Sequence, residues 1–285
     1  MIRLDAATVL LQWAAGGLFF LWITTRRREV GLGYGWLLRG TFGLLAVLAV
    51  AVGQVTEPDL ARDGLTALMA AATFAVLGVS IVRRKAGVAG QRERVEKRSA
   101  RVAAMTGIDR EAPQTFDAEA PEFPPVLDLI APAIGVVAIV AAALDSGGPL
   151  GLALARFLVG AAFLGAISDA MLLGHWYLVQ PGLSRGALLE LVRWVAYTWP
   201  AEVVVMLLPT GMISVITGDI DDGWDGLLGW IWVVCAITTI GLVFVTRAAL
   251  RERYYSAVMA ATGLLYLAIL TAFGTDLVAR AVLTP

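Results

Sequence analysis

Apolar residues gather into eight long runs separated by short polar stretches. The runs cover approximately 7–25, 33–55, 64–82, 125–144, 150–179, 187–208, 226–246 and 255–278. A helix rises ~1.5 Å per residue and a bilayer core is roughly 30 Å thick, so about 20 apolar residues suffice to cross it. The expected fold class is therefore all-α: a polytopic integral membrane helix bundle of about eight transmembrane helices. Helices one to three fall in 1–82, a long polar insert in 83–124, and helices four to eight in 125–285. The first run ends in Thr24-Thr25-Arg26-Arg27-Arg28 rather than at a small-residue cleavage site, so it reads as a retained helix.

Basic residues set the expected orientation. If the loop carrying Arg26, Arg27 and Arg28 is cytoplasmic, the same side receives Arg83, Arg84 and Lys85 with the rest of 83–124. It also receives Arg185, Arg247, Arg251 and Arg253, which together make up most of the 22 basic residues. The opposite loops are acidic, with Glu57, Asp59 and Asp63 in one and Asp219, Asp221, Asp222 and Asp225 in another. This positive-inside pattern places both termini outside, and an even helix number agrees. Trp36, Tyr177, Trp224, Trp230, Tyr254 and Tyr255 near the span ends suit aromatic belts.

Within the insert, 88–105 reads as a basic helix carrying Arg92, Arg94, Lys97, Arg98 and Arg101. Residues 109–125, with Pro113, Pro121, Pro124 and Pro125, read as an acidic linker. Such a helix either lies on anionic lipid or docks a cytoplasmic or membrane partner subunit. The insert is too short to be a catalytic domain of its own.

Composition narrows the chemistry. The chain is 59% hydrophobic and 16% charged with a net charge of −1, so no global field argues for nucleic acid. One cysteine, Cys235, makes no internal disulfide or cysteine cluster, and one histidine, His175, makes no bis-histidine haem site. With a single histidine and a single cysteine, neither haem nor iron–sulfur ligands are expected, and Walker and HExxH motifs are absent. Arginine outnumbers lysine 20 to 2 and alanine, glycine and valine abound, which suits a bacterial cytoplasmic (inner) membrane.

The informative residues are ionisable groups at membrane depth, each costing at least a few kcal/mol unless it faces protein or water. The fifth and sixth runs hold Arg156, Asp169, His175, Glu190, Arg193 and Glu202. From helical rise, His175 lies about 6 Å and Glu190 about 5 Å from the cytoplasmic end, Arg193 about 9 Å, and Asp169 about 15 Å. The fifth and sixth helices are antiparallel neighbours, so His175, Glu190 and Arg193 are expected to form one cluster. Arg156 and Glu202 are the expected buried ion pair near the outer face. Asp169 and His175 stand six residues apart, about 240° around the helix, and do not share a face. A partner for Asp169 must come from another helix, with Arg193 or Arg39 best placed. Asp128 follows Pro124-Pro125 in the first turn of the fourth helix, where a carboxylate suits the helix dipole.

This pattern suits a quinone-type headgroup site or proton relay near the cytoplasmic face. His175 would be the titrating donor. Trp176, Tyr177 and Trp194 would be the walls, Arg193 and Glu190 the charges, and Asp169 and Glu202 the continuation of a proton path. The corresponding function is an integral membrane subunit of an electron-transfer complex. A plainer reading makes the same charges paired packing devices. An internal echo places Trp22 on Trp176 and Arg39 on Arg193 at an offset of 154 residues, and Pro200 and Pro209 interrupt the sixth helix. These features suit a transporter or channel of two four-helix halves. A membrane scaffold docking through 83–124 is the third expectation.

Overall fold

The computed structural model describes residues 2–3, 5–106, 116–117, 119–180, 183–252 and 254–283. The described elements are helical throughout: α1 (Ala6–Thr25), α2 (Leu32–Thr56), α3 (Leu60–Val82), α4 (Ala89–Thr106), α5 (Ile130–Asp145), α6 (Leu150–Val179), α7 (Gly186–Leu207), α8 (Gly211–Ile216), α9 (Leu227–Ala249) and α10 (Tyr255–Leu283). Short 3-10 turns at Arg83–Ala86 and Pro125–Leu129 precede α4 and α5.

Among the described residues, seven helices are long and apolar enough to cross a membrane. They are α1, α2, α3, α5 with its leading turn, α6, α9 and α10. Their outer surface is apolar, with Leu44 63%, Ile237 64% and Leu270 70% exposed. A water-facing surface rarely carries so continuous an apolar belt. The chain is a multi-pass helical membrane protein. The sixth sequence run forms α7, which packs along α6 and α9. It carries Glu190, Arg193 and Glu202, and this charge separates it from the seven more apolar helices.

The helices form two rings. α1 packs on α2, α2 on α3, α3 on α5, and α5 returns to α1. α6 packs on α7, α7 on α9, α9 on α10, and α10 returns to α6. α1 against α6 is the main contact between the rings. These two helices run in the same direction. Arg3, before α1, donates to the Asp145 carbonyl just ahead of α6, while Arg26 and Arg27, after α1, reach Glu190 just beyond it.

The α1–α6 contact is close because glycines face it. A Cβ on Gly16 would lie 1.8 Å from the Ala161 carbonyl oxygen, and one on Gly165 would lie 2.2 Å from the Gly16 carbonyl carbon. Small residues let backbones approach where no water is available to drive association.

Helix starts follow local chemistry. Asp5 caps α1 by accepting from the Thr8 amide, and Asp59 caps α3 by accepting from Ala61 and Arg62. The insert folds back over the arginine-rich end of the bundle. Glu122 takes Arg28 and Arg92, Arg83 donates to the Glu122 carbonyl, and the Gly90 amide donates to the Arg28 carbonyl at 3.0 Å. The expected basic helix is α4. Much of the expected linker, 107–115 and Ala118, lies outside the described residues, as do the side chains of Arg98 and Arg101 and all of Arg253.

Candidate functional site

Polar groups inside the bundle fall into three levels, and the sequence-derived cluster is divided among them. At the arginine-rich end, Arg39 of α2 clasps Asp128: Nε to Oδ1 at 2.7 Å and Nη2 to Oδ2 at 2.8 Å. Thr25 donates to the same carboxylate at 3.0 Å, and the Arg39 guanidinium lies 4.5 Å from the Phe123 ring centroid. Arg39 is therefore committed to Asp128 and does not serve Asp169.

His175, Glu190 and Arg193 do not form one cluster. Glu190 of α7 pairs with Arg26 at 2.5 Å and Arg27 at 3.1 Å, because the end of α1 lies over the start of α7. Arg193 is exposed and turns back to its own helix, with Nε 3.4 Å from the Leu189 carbonyl oxygen. α6 buries Leu173, Gly174 and Tyr177, which leaves His175 on the outer side. Its Nδ1 lies 2.9 Å from the Tyr266 hydroxyl of α10, and the rings meet edge to face. Tyr177 is likewise not a cavity wall: its buried hydroxyl donates to the Ser184 carbonyl and ties α6 to the following turn. Trp194 packs on Phe20 inside the bundle.

Trp176 does line a cavity. Its indole donates to Gln180 Oε1 at 3.0 Å, which leaves the Gln180 amide nitrogen to donate elsewhere. With Trp36, Phe116, Arg84, Gln91 and Gln180 it bounds a cavity of about 460 Å³ at the arginine-rich end. Gly33 makes the room: a Cβ there would meet the Trp176 ring at 3.1 Å. Behind Trp176, at 6.0 Å between ring centroids, lies the buried ring of Tyr34.

Asp169 occupies the middle level. It is fully buried, and neither carboxyl oxygen has a hydrogen-bond partner among the described residues. Tyr34, whose buried hydroxyl also lacks a well-aligned partner, is within electrostatic reach. Nearby on the same helix, Ser168 is satisfied by the Trp13 indole at 2.8 Å. A buried carboxyl without a donor is rare, because the desolvation cost goes uncompensated.

At the opposite end, four ionisable groups meet. Arg156 and Glu202 do not form the expected ion pair: neither Glu202 carboxyl oxygen has a hydrogen-bond partner among the described residues. The hydrogen bonds of Arg156 go elsewhere: Nε to the Val205 carbonyl at 3.1 Å and Nη2 to the Leu208 carbonyl at 2.6 Å. α7 ends at Leu207 ahead of Pro209, so its last carbonyls are open and attract a cation. Asp276 and Arg280 complete the group, with Arg280 Nε 2.7 Å from Asp276 Oδ2. Glu202, like Asp169, is fully buried.

Sequence reasoning missed Tyr34, the Trp36–Gln180 wall, and the Asp276–Arg280 pair. Only the last left a legible signal: opposite charges at i and i+4 near the end of an apolar run. The chain matches no family model, no curated protein and no solved structure.

Proposed function

We propose that this protein is the integral membrane subunit of an electron-transfer complex, with a quinone-type headgroup held in the Trp36–Trp176 cavity and protons handled through Asp169. The cavity is the observation that carries the reading. It has aromatic walls for a flat ring, and Arg84 and the Gln180 amide are donors suited to a carbonyl oxygen. It lies at the arginine-rich end, on the Trp176 side of α6 rather than the His175 side. A bound quinone would supply the redox chemistry, and electrons would come from a cofactor-bearing partner subunit. Tyr34 and Asp169 would hold protons behind the Trp176 wall.

In this reading α7 crosses the bilayer with the seven more apolar helices. That gives eight crossings, a cytoplasmic arginine-rich end and both termini outside a bacterial cytoplasmic membrane. The partner docks on 83–124, where α4 lies across the cytoplasmic end.

Titration with short-chain quinones in lipid nanodiscs, read as quenching of tryptophan fluorescence, tests the site. Saturable quenching is expected. It should weaken about tenfold in Trp176→Leu and in Gln180→Ala, each losing roughly 1.4 kcal/mol. His175→Ala should bind as wild type, because His175 faces outward. Quenching that never saturates in the wild type would discard the proposal.

A transporter or channel is the second reading, favoured by the two four-helix rings of like direction. It requires α1 and α6 to separate at Gly16, and solute flux in proteoliposomes without any redox partner would select it.

A further inference from the structure

A guanidinium presents five N–H donors in a planar fork and keeps its charge inside proteins. Arg156, in the second turn of α6, is 4% exposed. Pro209 sets how it is held. Proline has no N–H, so the Val205 carbonyl four residues earlier in α7 has no amide to take it. Arg156 Nε donates to that carbonyl and Nη2 to the Leu208 carbonyl, which leaves Nη1 without a hydrogen-bond partner among the described residues. The two carbonyls orient the fork but do not cancel its charge. No carboxylate does so either: Asp276 pairs with Arg280, and Glu202 accepts no hydrogen bond among the described residues. A buried charge is ordinarily paired, so this one calls for an anion.

There is room for one. Arg156 lines a cavity of about 210 Å³ at the acidic end of the second ring, and its Nη1 is not sealed inside the bundle. Pro149 and Leu152 bring the start of α6 to the same cavity. α6 is 30 residues long and has no side-chain cap, so its first amides add partial positive charge. Thr210 adds a hydroxyl, and Ile2, Leu152 and Leu283 make the remaining wall apolar. We propose that this cavity binds a small monocarboxylate with an aliphatic body, its oxygens toward Arg156 Nη1 and the start of α6.

Charge and size select the ligand class. Ile220, also on the cavity, stands between Asp219 and Asp221 of the acidic loop, and their field disfavours a dianion such as phosphate. At about 210 Å³ the cavity is smaller than the roughly 300–1,000 Å³ of drug-sized sites, which suits a short chain rather than a whole lipid. Pro209 and Thr210 are exposed, so the ligand enters from the water on this side. The site does not depend on the quinone reading, since it lies at the opposite end of the bundle from the Trp36–Trp176 cavity.

Isothermal titration of sodium hexanoate into the protein in lipid nanodiscs at neutral pH tests it. Saturable binding is expected, and empty nanodiscs should show none. Arg156→Gln should weaken it at least about tenfold, the worth of a hydrogen bond to a charged group. Leu152→Phe fills the cavity and leaves every charge in place, and it should weaken binding to a similar extent, which keeps the proposal testable if Arg156→Gln fails to fold. Hexanamide, of the same shape but uncharged, should not displace hexanoate, and neither should inorganic phosphate at equal concentration. Absence of saturable binding in the wild type, undiminished binding in Leu152→Phe, or equal displacement by hexanamide or phosphate overturns the proposal. Oleate placed in the nanodisc lipid should not compete. Displacement by oleate would overturn entry from water and assign the carboxylate to a fatty acid of the bilayer.

Discussion

Arg39 and Asp128 form a bidentate clasp in which the side chains are 3% and 1% exposed. It fastens α2 to the turn before α5, and Ser80 of α3 and Thr25 of α1 add further hydrogen bonds. All four helices of the first ring meet at this point. Removing one partner of a buried pair leaves the other charge uncompensated, which costs about 3–5 kcal/mol. Arg39→Gln or Asp128→Asn should therefore lower thermal stability in detergent markedly. The double replacement Arg39→Met/Asp128→Leu should recover much of the loss. Equal damage in single and double variants would show that the clasp does not act as a pair.

The contact between the rings predicts a sharp size limit at Gly16. A methyl there meets a backbone carbonyl, which cannot swing aside as a side chain can. Gly16→Ala should destabilise by about 1–3 kcal/mol, the range for overpacking a well-filled interior. Gly40→Ala is the matched control, since a Cβ at Gly40 meets nothing within 4 Å. It should be neutral or mildly stabilising, because alanine favours helix by roughly 1 kcal/mol over glycine. Thermal shift measurements on both variants decide it.

The orientation has an equally direct check. With Cys235 replaced by alanine, Ser99→Cys on α4 and Asp221→Cys in the acidic loop should label from opposite sides of right-side-out vesicles. Asp221→Cys should react with an impermeant maleimide in intact vesicles, and Ser99→Cys only after permeabilisation. The reverse pattern would invert the topology, and labelling of both from one side would break the even crossing count.

Some of this was legible in the chain and some could not be. Runs of about 20 apolar residues announce spanning helices because the bilayer admits little else. The opposed faces of Asp169 and His175 followed from helical spacing alone. Which face points inward did not, because that depends on where α1 and α10 pack. Partner choice failed for the same reason. Arg39 could reach several carboxylates by depth, and only the closure of α5 onto α1 and α3 brings Asp128 to it. Glu190 was paired by depth within its own helical hairpin, whereas its partners come from the end of α1, some 160 residues away. Asp276 was overlooked because the last run seemed to end at 278, which set Arg280 outside the membrane and hid its partner.

The acidic loop offers a pH prediction from a group outside the spans. Partial desolvation pushes the Asp222 carboxyl up, but amide hydrogen bonds from Gly226, Trp224, Leu228 and Gly229 outweigh it, so it titrates below an ordinary aspartate. A depressed folded value means that its contribution is present above the unfolded value of about 3.9 and is lost as pH falls through the folded one. Amide exchange at Gly226 and Leu228, ahead of and inside α9, should stay protected at neutral pH. Protection should decline only in strong acid, after allowance for the intrinsic exchange rate. Asp222→Asn should remove that pH dependence and raise exchange at both amides already at neutral pH.

Asp169 separates a functional role from a structural one more cleanly than any other residue. A side chain kept for packing should destabilise the bundle when replaced, as Arg39 and Asp128 should. Among the described residues Asp169 has no donor to lose, so its replacement removes a desolvation cost rather than a bond. Asp169→Asn should be neutral, and Asp169→Leu should raise stability by about 1–3 kcal/mol, the penalty of an unsatisfied buried polar group. Both should abolish proton uptake coupled to quinone reduction in the reconstituted complex, while quinone binding at Trp176 is retained. Stability sacrificed at a working site is the expected signature of such a residue. A destabilised Asp169→Leu variant would instead mean that the carboxyl has a partner that holds the fold, and the proton path would have to run elsewhere.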